Sequence, residues 1–209
     1  MTINFQNLDF LNKNIEKSAE LLIVTKNQTA QDICTLLSSG YANFGENRVQ
    51  EAKTKFMPLR DKFNFNLHLI GNLQRNKIKE ALKIFDVIQT IDRTSLIDEI
   101  SKELASANHY KTKKFFIQVN IGNEKQKSGV ADNDLINLYN YALSKNINIE
   151  GLMCIPPNIS DPSKYFNKMC LLRNEIDKNL KLSMGMSSDY VIALKHQSNM
   201  VRIGSMIFK

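Results

Sequence analysis

Short apolar, β-branched runs alternate with longer amphipathic stretches along the whole chain, and a chain patterned this way is directed to parallel strands joined by crossover helices. The runs are LLIVT (Leu21–Thr25), YANF (Tyr41–Phe44), LHLI (Leu67–Ile70), VIQTI (Val87–Ile91), FFIQV (Phe115–Val119), IEGLM (Ile149–Met153), LKLSM (Leu180–Met184) and MVRI (Met200–Ile203). About eight strands is the number that closes a barrel. Between them apolar residues recur at helical spacing over 30–38, 48–56, 74–83, 95–107, 132–145, 163–178 and 188–196, and a further helix around 7–19 precedes the first strand. The expected fold is an α/β, single (β/α)₈ TIM barrel with an extra N-terminal helix. No linker, repeat or low-complexity tract divides it, so residues 1–209 are read as one domain. The rival, an open doubly wound sheet, needs a reversal of strand order that sequence cannot show.

Several classes are disfavoured at once. No apolar run is long enough to cross a bilayer. The opening MTINFQNLDF has neither a basic head nor a continuous apolar stretch before a small-residue cleavage site, so a cytoplasmic protein is expected. Cys34, Cys154 and Cys170 cannot all pair and lack ligand spacing, which argues against a disulfide framework and against a metal site. A net charge of +7 invites an acidic partner. The densest basic stretches, RNKIK and KTKK, are short and carry no interleaved aromatics, so general surface charge is preferred to a nucleic-acid stripe.

In a barrel of this kind functional groups gather on the loops that follow the strands. Lys26 follows the first strand and has two readings. It is a strand-ending lysine reaching into water, or it is a Schiff-base nucleophile. A primary amine attacks an aldehyde only when unprotonated, and an apolar neighbourhood such as the end of Leu21–Val24 lowers its pKa by penalising the charge. The obvious aldehyde is pyridoxal 5′-phosphate (PLP), which needs a phosphate cradle and a partner for its ring nitrogen. Ser187 and Ser188 stand where a helix begins after the seventh strand, as an anion site or as an ordinary N-cap. Gly204 permits close backbone approach and Ser205 adds a hydroxyl after the eighth strand, around the same point. Arg202 interrupts the apolar MVRIG, where a guanidinium needs a partner, either a pyridine nitrogen or a carboxylate such as Asp189. Because arginine stays protonated, it would donate to an unprotonated ring nitrogen and leave the ring a weaker electron sink than a carboxylate would. Asn47 bonds a ring substituent or caps the helix near Arg48, and His68, alternating with Leu67 and Leu69, lines the interior as a core histidine or as a cofactor contact. The Glu46/Glu51 and Asp92/Arg93 groups are expected in caps or ion pairs.

GENRVQE, HLIGNLQRNK, TIDR, QVNIGNEKQKSG, GLMCIPP, LSMGMSSD and MVRIGSMIF, in this order with Lys26 upstream, resemble the pyridoxal phosphate homeostasis protein family, related to the barrel domain of alanine racemase. The resemblance spans nearly the whole chain. It implies an alanine racemase N-terminal domain-like barrel with PLP bound through Lys26, a phosphate site around Ser187, Gly204 and Ser205, and Arg202 beneath the ring nitrogen. Asn47 and His68 complete the expected cofactor contacts. The implied role is PLP homeostasis: holding PLP as a Schiff base and releasing it by transimination to PLP-dependent apoenzymes, small amines or amino acids, from a chain expected to be monomeric. The rival is a weak racemase-like enzyme, which would need a second base on the other ring face. The chain departs from the family's usual residues at Thr25 (serine), Thr29 (proline), Leu67 (an aromatic), Val191 (an acid), Gln197 (glycine) and Asn199 (threonine).

Overall fold

A computed structural model describes residues 2–15, 17, 19–106 and 110–208. Eight strands, β1 (Glu20–Val24), β2 (Asn43–Glu46), β3 (Asn66–Leu69), β4 (Val87–Ile91), β5 (Lys114–Val119), β6 (Ile149–Cys154), β7 (Lys181–Met186) and β8 (Met200–Ile203), pair in parallel, each with the next. β8 returns to β1 through Leu21 opposite Val201 and Ile23 opposite Ile203, which closes the barrel. Closure removes both sheet edges and excludes the open doubly wound alternative. Helix α1 (Phe5–Asn14) precedes β1; α2 (Ala30–Ser38), α3 (Val49–Phe56), α4 (Ile78–Ile84), α5 (Thr94–Ser106), α6 (Leu135–Ser144), α7 (Ser163–Ile176) and α8 (Tyr190–Lys195) follow β1 to β7 in turn.

Strand residues divide by parity, as successive side chains must. Ile23, Leu67, Leu69, Ile88, Ile117, Leu152, Leu182, Val201 and Ile203 join the apolar faces of the helices in one continuous core. The opposite parity faces the barrel interior, where Val87, Phe116 and Met153 form a separate small cluster. Gly151 makes room for it, since a β-carbon there would come within 2.5 Å of the Phe116 ring.

The strand pattern matches at β4 and β8 residue for residue and shifts elsewhere for local reasons. β2 lies two residues beyond the expected YANF, because Gly45 and Glu46 continue the ladder opposite His68 and Leu69. Glu46 can lie buried there because Lys55 neutralises it. α8 begins at Tyr190 rather than Ser188: the Met186 amide donates to Asp189 Oδ1 at 2.6 Å, turning the chain through Ser187 and Ser188 before the helix starts. α1 begins at Phe5, capped when the Asn7 amide donates to the Asn4 side chain, and ends at Asn14. The expected extension to Ala19 includes Glu16 and Ser18, which lie outside the described residues, as does the expected end of α5 at Ala107. Residues 75–77 and 132–134 form single 3₁₀ turns leading into α4 and α6.

Candidate functional site

A cavity of about 800 Å³ opens at the C-terminal end of the barrel. Its walls come from residues at or near strand ends: Val24, Lys26 and Gln28 at and after the end of β1, Asn47 after β2, Ile70 after β3, Ile155 after β6, Met186, Ser187 and Ser188 at and after the end of β7, and Arg202, Gly204, Ser205, Met206 and Phe208 at β8 and beyond.

Lys26 rides on a turn pinned from below. The Thr25 hydroxyl donates to Glu46 Oε1 at 2.6 Å and Lys55 Nζ donates to the Thr25 carbonyl at 2.7 Å. On the far side, the Asn27 amide donates to Glu51 Oε1 at 2.8 Å, with Asn27 itself in the left-handed region at φ 62°. Lys55 Nζ also lies 2.5 Å from Glu46 and 2.8 Å from Glu51. Burial pushes the Glu46 carboxyl above its ordinary range, against the pull of Lys55 and Thr25. Glu51 also loses water, but Lys55 and the Asn27 amide outweigh that and hold it below the usual carboxylate range. The buried cluster thus fixes the backbone on both sides of residue 26 and leaves its side chain exposed to the cavity. This corrects the expectation of partial burial: Lys26 is exposed at the open mouth, just past the apolar end of β1.

Arg202 is buried, at 4% exposure. One guanidinium nitrogen donates to the Ser183 carbonyl at 2.6 Å and to its hydroxyl at 2.9 Å, and the other donates to the Cys154 carbonyl at 2.7 Å. Burial pulls its pKa down. Of the two partners open to it from sequence, Asp189 is not taken up: that carboxylate accepts from the Met186 amide, and no ion pair joins it to Arg202 among the described residues. Arg202 therefore meets the cavity wall as a cation held by neutral oxygens.

The rim after β7 and β8 offers donors. Ser187 and Ser188 do not cap α8, and the amides of Ser187, Ser188, Ser205 and Met206 donate to no protein acceptor among the described residues. Gly204 lets the loop after β8 approach the end of β1 closely, because a β-carbon there would stand 3.2 Å from the Val24 carbonyl. Asn47 does not cap α3 either, whose N-cap is Arg48 with no side-chain bond, so the Asn47 amide is left to the cavity. A lysine amine, a cation at the wall and outward amides suit a carbonyl compound that carries an anionic group.

Lys26, Asn47, Ser187, Arg202, Gly204 and Ser205 are thus brought together, and His68 is not. His68 does face the barrel interior, but it pairs in register with Val87, the first residue of β4, and lines a separate cavity of about 300 Å³ at the opposite end. Burial, with Lys114 and Lys181 adding to it and Asp86 opposing, holds its imidazole at about 4. Sequence reasoning missed the apolar walls Ile70, Ile155, Met206 and Phe208, and it missed Lys55. The i, i+4 pairing of Glu51 with Lys55 was a readable signal for the last of these.

The fold and site define a closed (β/α)₈ barrel with a lysine on the turn after β1 and an anion-receptive rim after β7 and β8. The family model for the alanine racemase N-terminal domain matches residues 5–209. Among curated relatives, the pyridoxal phosphate homeostasis protein of Aquifex aeolicus is 36% identical over 202 residues, covering 92% of this chain and 87% of its own. That of Pasteurella multocida is 34% identical over 230 residues, covering 100% of this chain and 97% of its own. Among solved structures, PipY of Synechococcus elongatus PCC7942 with PLP bound superposes with a TM-score of 0.86 at 30% identity, covering 98% of this chain and 99% of that one. Alanine racemase of Bacillus anthracis, at 15% identity, a TM-score of 0.74, and coverage of 96% of this chain and 54% of that one, shares the fold alone. The chain belongs to the alanine racemase N-terminal domain family, and within it to the pyridoxal phosphate homeostasis proteins.

Proposed function

We propose that this chain binds PLP at the barrel mouth and serves PLP homeostasis, holding the cofactor on Lys26 and giving it up to amines. The observation that carries the reading is the convergence of the Lys26 amine, the carboxylate-free Arg202 and the unpaired amides after β7 and β8 on one cavity. The residues fit the group: the rim amides with Ser187 and Ser205 would take the phosphate, Arg202 would face the ring nitrogen, Asn47 would meet a ring substituent, and Lys26 would supply the nucleophile. PLP supplies an aldehyde for reversible condensation. Lys26 would be the amine that condenses with this aldehyde, with loss of water, and that is returned free with its proton when a competing primary amine takes its place.

An open mouth and an exposed Lys26 favour exchange over enclosure. With arginine at the ring nitrogen the electron sink is weak, which favours carriage over racemisation. On this reading one barrel domain acts as a cytoplasmic monomer, in keeping with three unpaired cysteines, and its recipients are PLP-dependent apoenzymes, small amines and amino acids. The test is borohydride reduction of the PLP-loaded protein followed by peptide mapping. The label is expected on Lys26; a label elsewhere, or none, overturns the assignment. Deuterium uptake at the α-carbon of added amino acids separates carrier from racemase, and the carrier is expected to show little.

A further inference from the structure

The inside of an eight-stranded barrel is ordinarily filled by branched apolar side chains. Here four polar side chains cross it in a line. His68 of β3, Gln89 of β4, Ser183 of β7 and Arg202 of β8 are all buried, at 4%, 0%, 0% and 4% exposure. Buried polar groups are costly unless each finds a partner. The links are 2.9 Å from Arg202 to Ser183 Oγ, 2.7 Å from Ser183 Oγ to Gln89 Oε1, and 2.8 Å between Gln89 Nε2 and His68 Nδ1. Gln89 Nε2 also reaches Met200 Sδ at 3.1 Å.

With Gln89 Oε1 turned to Ser183 and Nε2 to His68, the line has one sense. Guanidinium has no acceptor, so Ser183 Oγ accepts from Arg202, and the serine hydrogen goes to Gln89 Oε1. In that orientation the amide's two hydrogens point at His68 Nδ1 and Met200 Sδ. An amide nitrogen only donates, so Nδ1 of His68 is bare and the imidazole proton sits on Nε2. Every donor points away from Arg202, and the line contains no carboxylate. The guanidinium is therefore oriented from behind by neutral groups.

We infer that Ser183 and Gln89, neither of which lines the mouth cavity, are positioning residues for Arg202, setting the direction in which it meets the ligand's ring nitrogen through a one-way hydrogen-bond line ending at His68. The ring-nitrogen half of this rests on the PLP reading above; the line itself does not. Turning Ser183 into an apolar residue removes one of the three bonds that hold the guanidinium. Removing the Gln89 acceptor leaves the buried serine hydrogen without a partner, and the hydroxyl can satisfy it only by rotating away from Arg202.

The test has a part without cofactor and a part with it. Histidine-ring ¹⁵N NMR of the unloaded protein at pH 7 should show His68 neutral with its proton on Nε2; a proton on Nδ1 overturns the line whatever the cofactor result. With ¹⁵N-labelled PLP, Ser183→Ala and Gln89→Leu should move the pyridine ¹⁵N shift and weaken PLP binding by roughly tenfold, while borohydride still places the label on Lys26. An unchanged ¹⁵N shift and affinity in folded Ser183→Ala overturns the proposal, and that variant decides the matter alone if Gln89→Leu does not fold. Failure to trap PLP on Lys26 in the wild type counts against the functional reading and leaves the His68 tautomer to judge the line.

Discussion

The two ends of the barrel are built from the same strands and treat charge in opposite ways. At the N-terminal floor the charges are paired: Lys114 lies 3.2 Å from Glu150, Lys111 lies 3.5 Å from Asp86, and Asp86 also holds Arg60 at 2.6 Å and the Leu67 amide at 2.8 Å. At the mouth Lys26, Arg202, the Asn47 amide and four rim amides meet a larger cavity with no carboxylate in its wall. Ion pairs join several of the floor's charges within the protein, whereas the mouth presents donors and, among the described residues, no carboxylate. The difference assigns stability to one end and binding to the other, which is the division expected of this fold.

The sharpest way to break that division is Lys26→Ala. It should abolish the borohydride-stable PLP label entirely while leaving the melting temperature close to that of the wild type, because an exposed side chain contributes little to folding. A large drop in melting temperature would mean that the mouth carries stability after all.

Lys55→Ala probes the cluster that joins the two properties. It leaves Glu46 buried without its cation, with Oε2 already lacking a partner, so about 3–5 kcal/mol of stability should be lost in denaturant unfolding. The turn that carries Lys26 also loses its tether to the Thr25 carbonyl, and PLP trapping should slow in the fraction that remains folded.

The floor has its own signature in pH. His68 is held at about 4 against an ordinary 6.5, so between those values the unfolded chain binds a proton that the folded chain does not. Stability should fall as pH drops through this window, by about 3 kcal/mol in all, and this contribution should level off below it. Urea midpoints at pH 7 and 4.5 check this: in His68→Gln the loss between the two pH values should be smaller by most of that amount. An equal loss in both proteins would show that His68 is not the group responsible.

Parity was legible in the sequence and depth was not. Leu67 and Leu69 pack outward, so His68 had to point inward, yet which end of the barrel it meets depends on strand stagger, a property of the closed sheet. Lys26, Ser187 and Gly204 were easier, since a residue past a strand's end can only be at the mouth. β2 was placed two residues early because Gly45 and Glu46 are poor strand formers in isolation; what overrides that is Lys55, nine positions on in the chain from Glu46 and against it in space. Departures from the family pattern also find local compensation. Thr25 keeps the hydroxyl that reaches Glu46, and Gln197, in the left-handed region at φ 60°, is held by Arg173 at 2.7 Å.

The smallest effect is expected at the rim. If the phosphate is held chiefly by backbone amides, no side-chain truncation can remove them, and the Ser205 hydroxyl adds only one neutral donor in an exposed position. Such a bond contributes about 1 kcal/mol, so Ser205→Ala should weaken PLP binding roughly fivefold in an absorbance titration without moving the label from Lys26. Gly204→Ala should cost more than Ser205→Ala, because its β-carbon would press on the Val24 carbonyl at 3.2 Å and shift the amides themselves. The reverse order would place the anion on side chains rather than on the backbone, and the mouth would then be held together by the same kind of side-chain pairing as the floor.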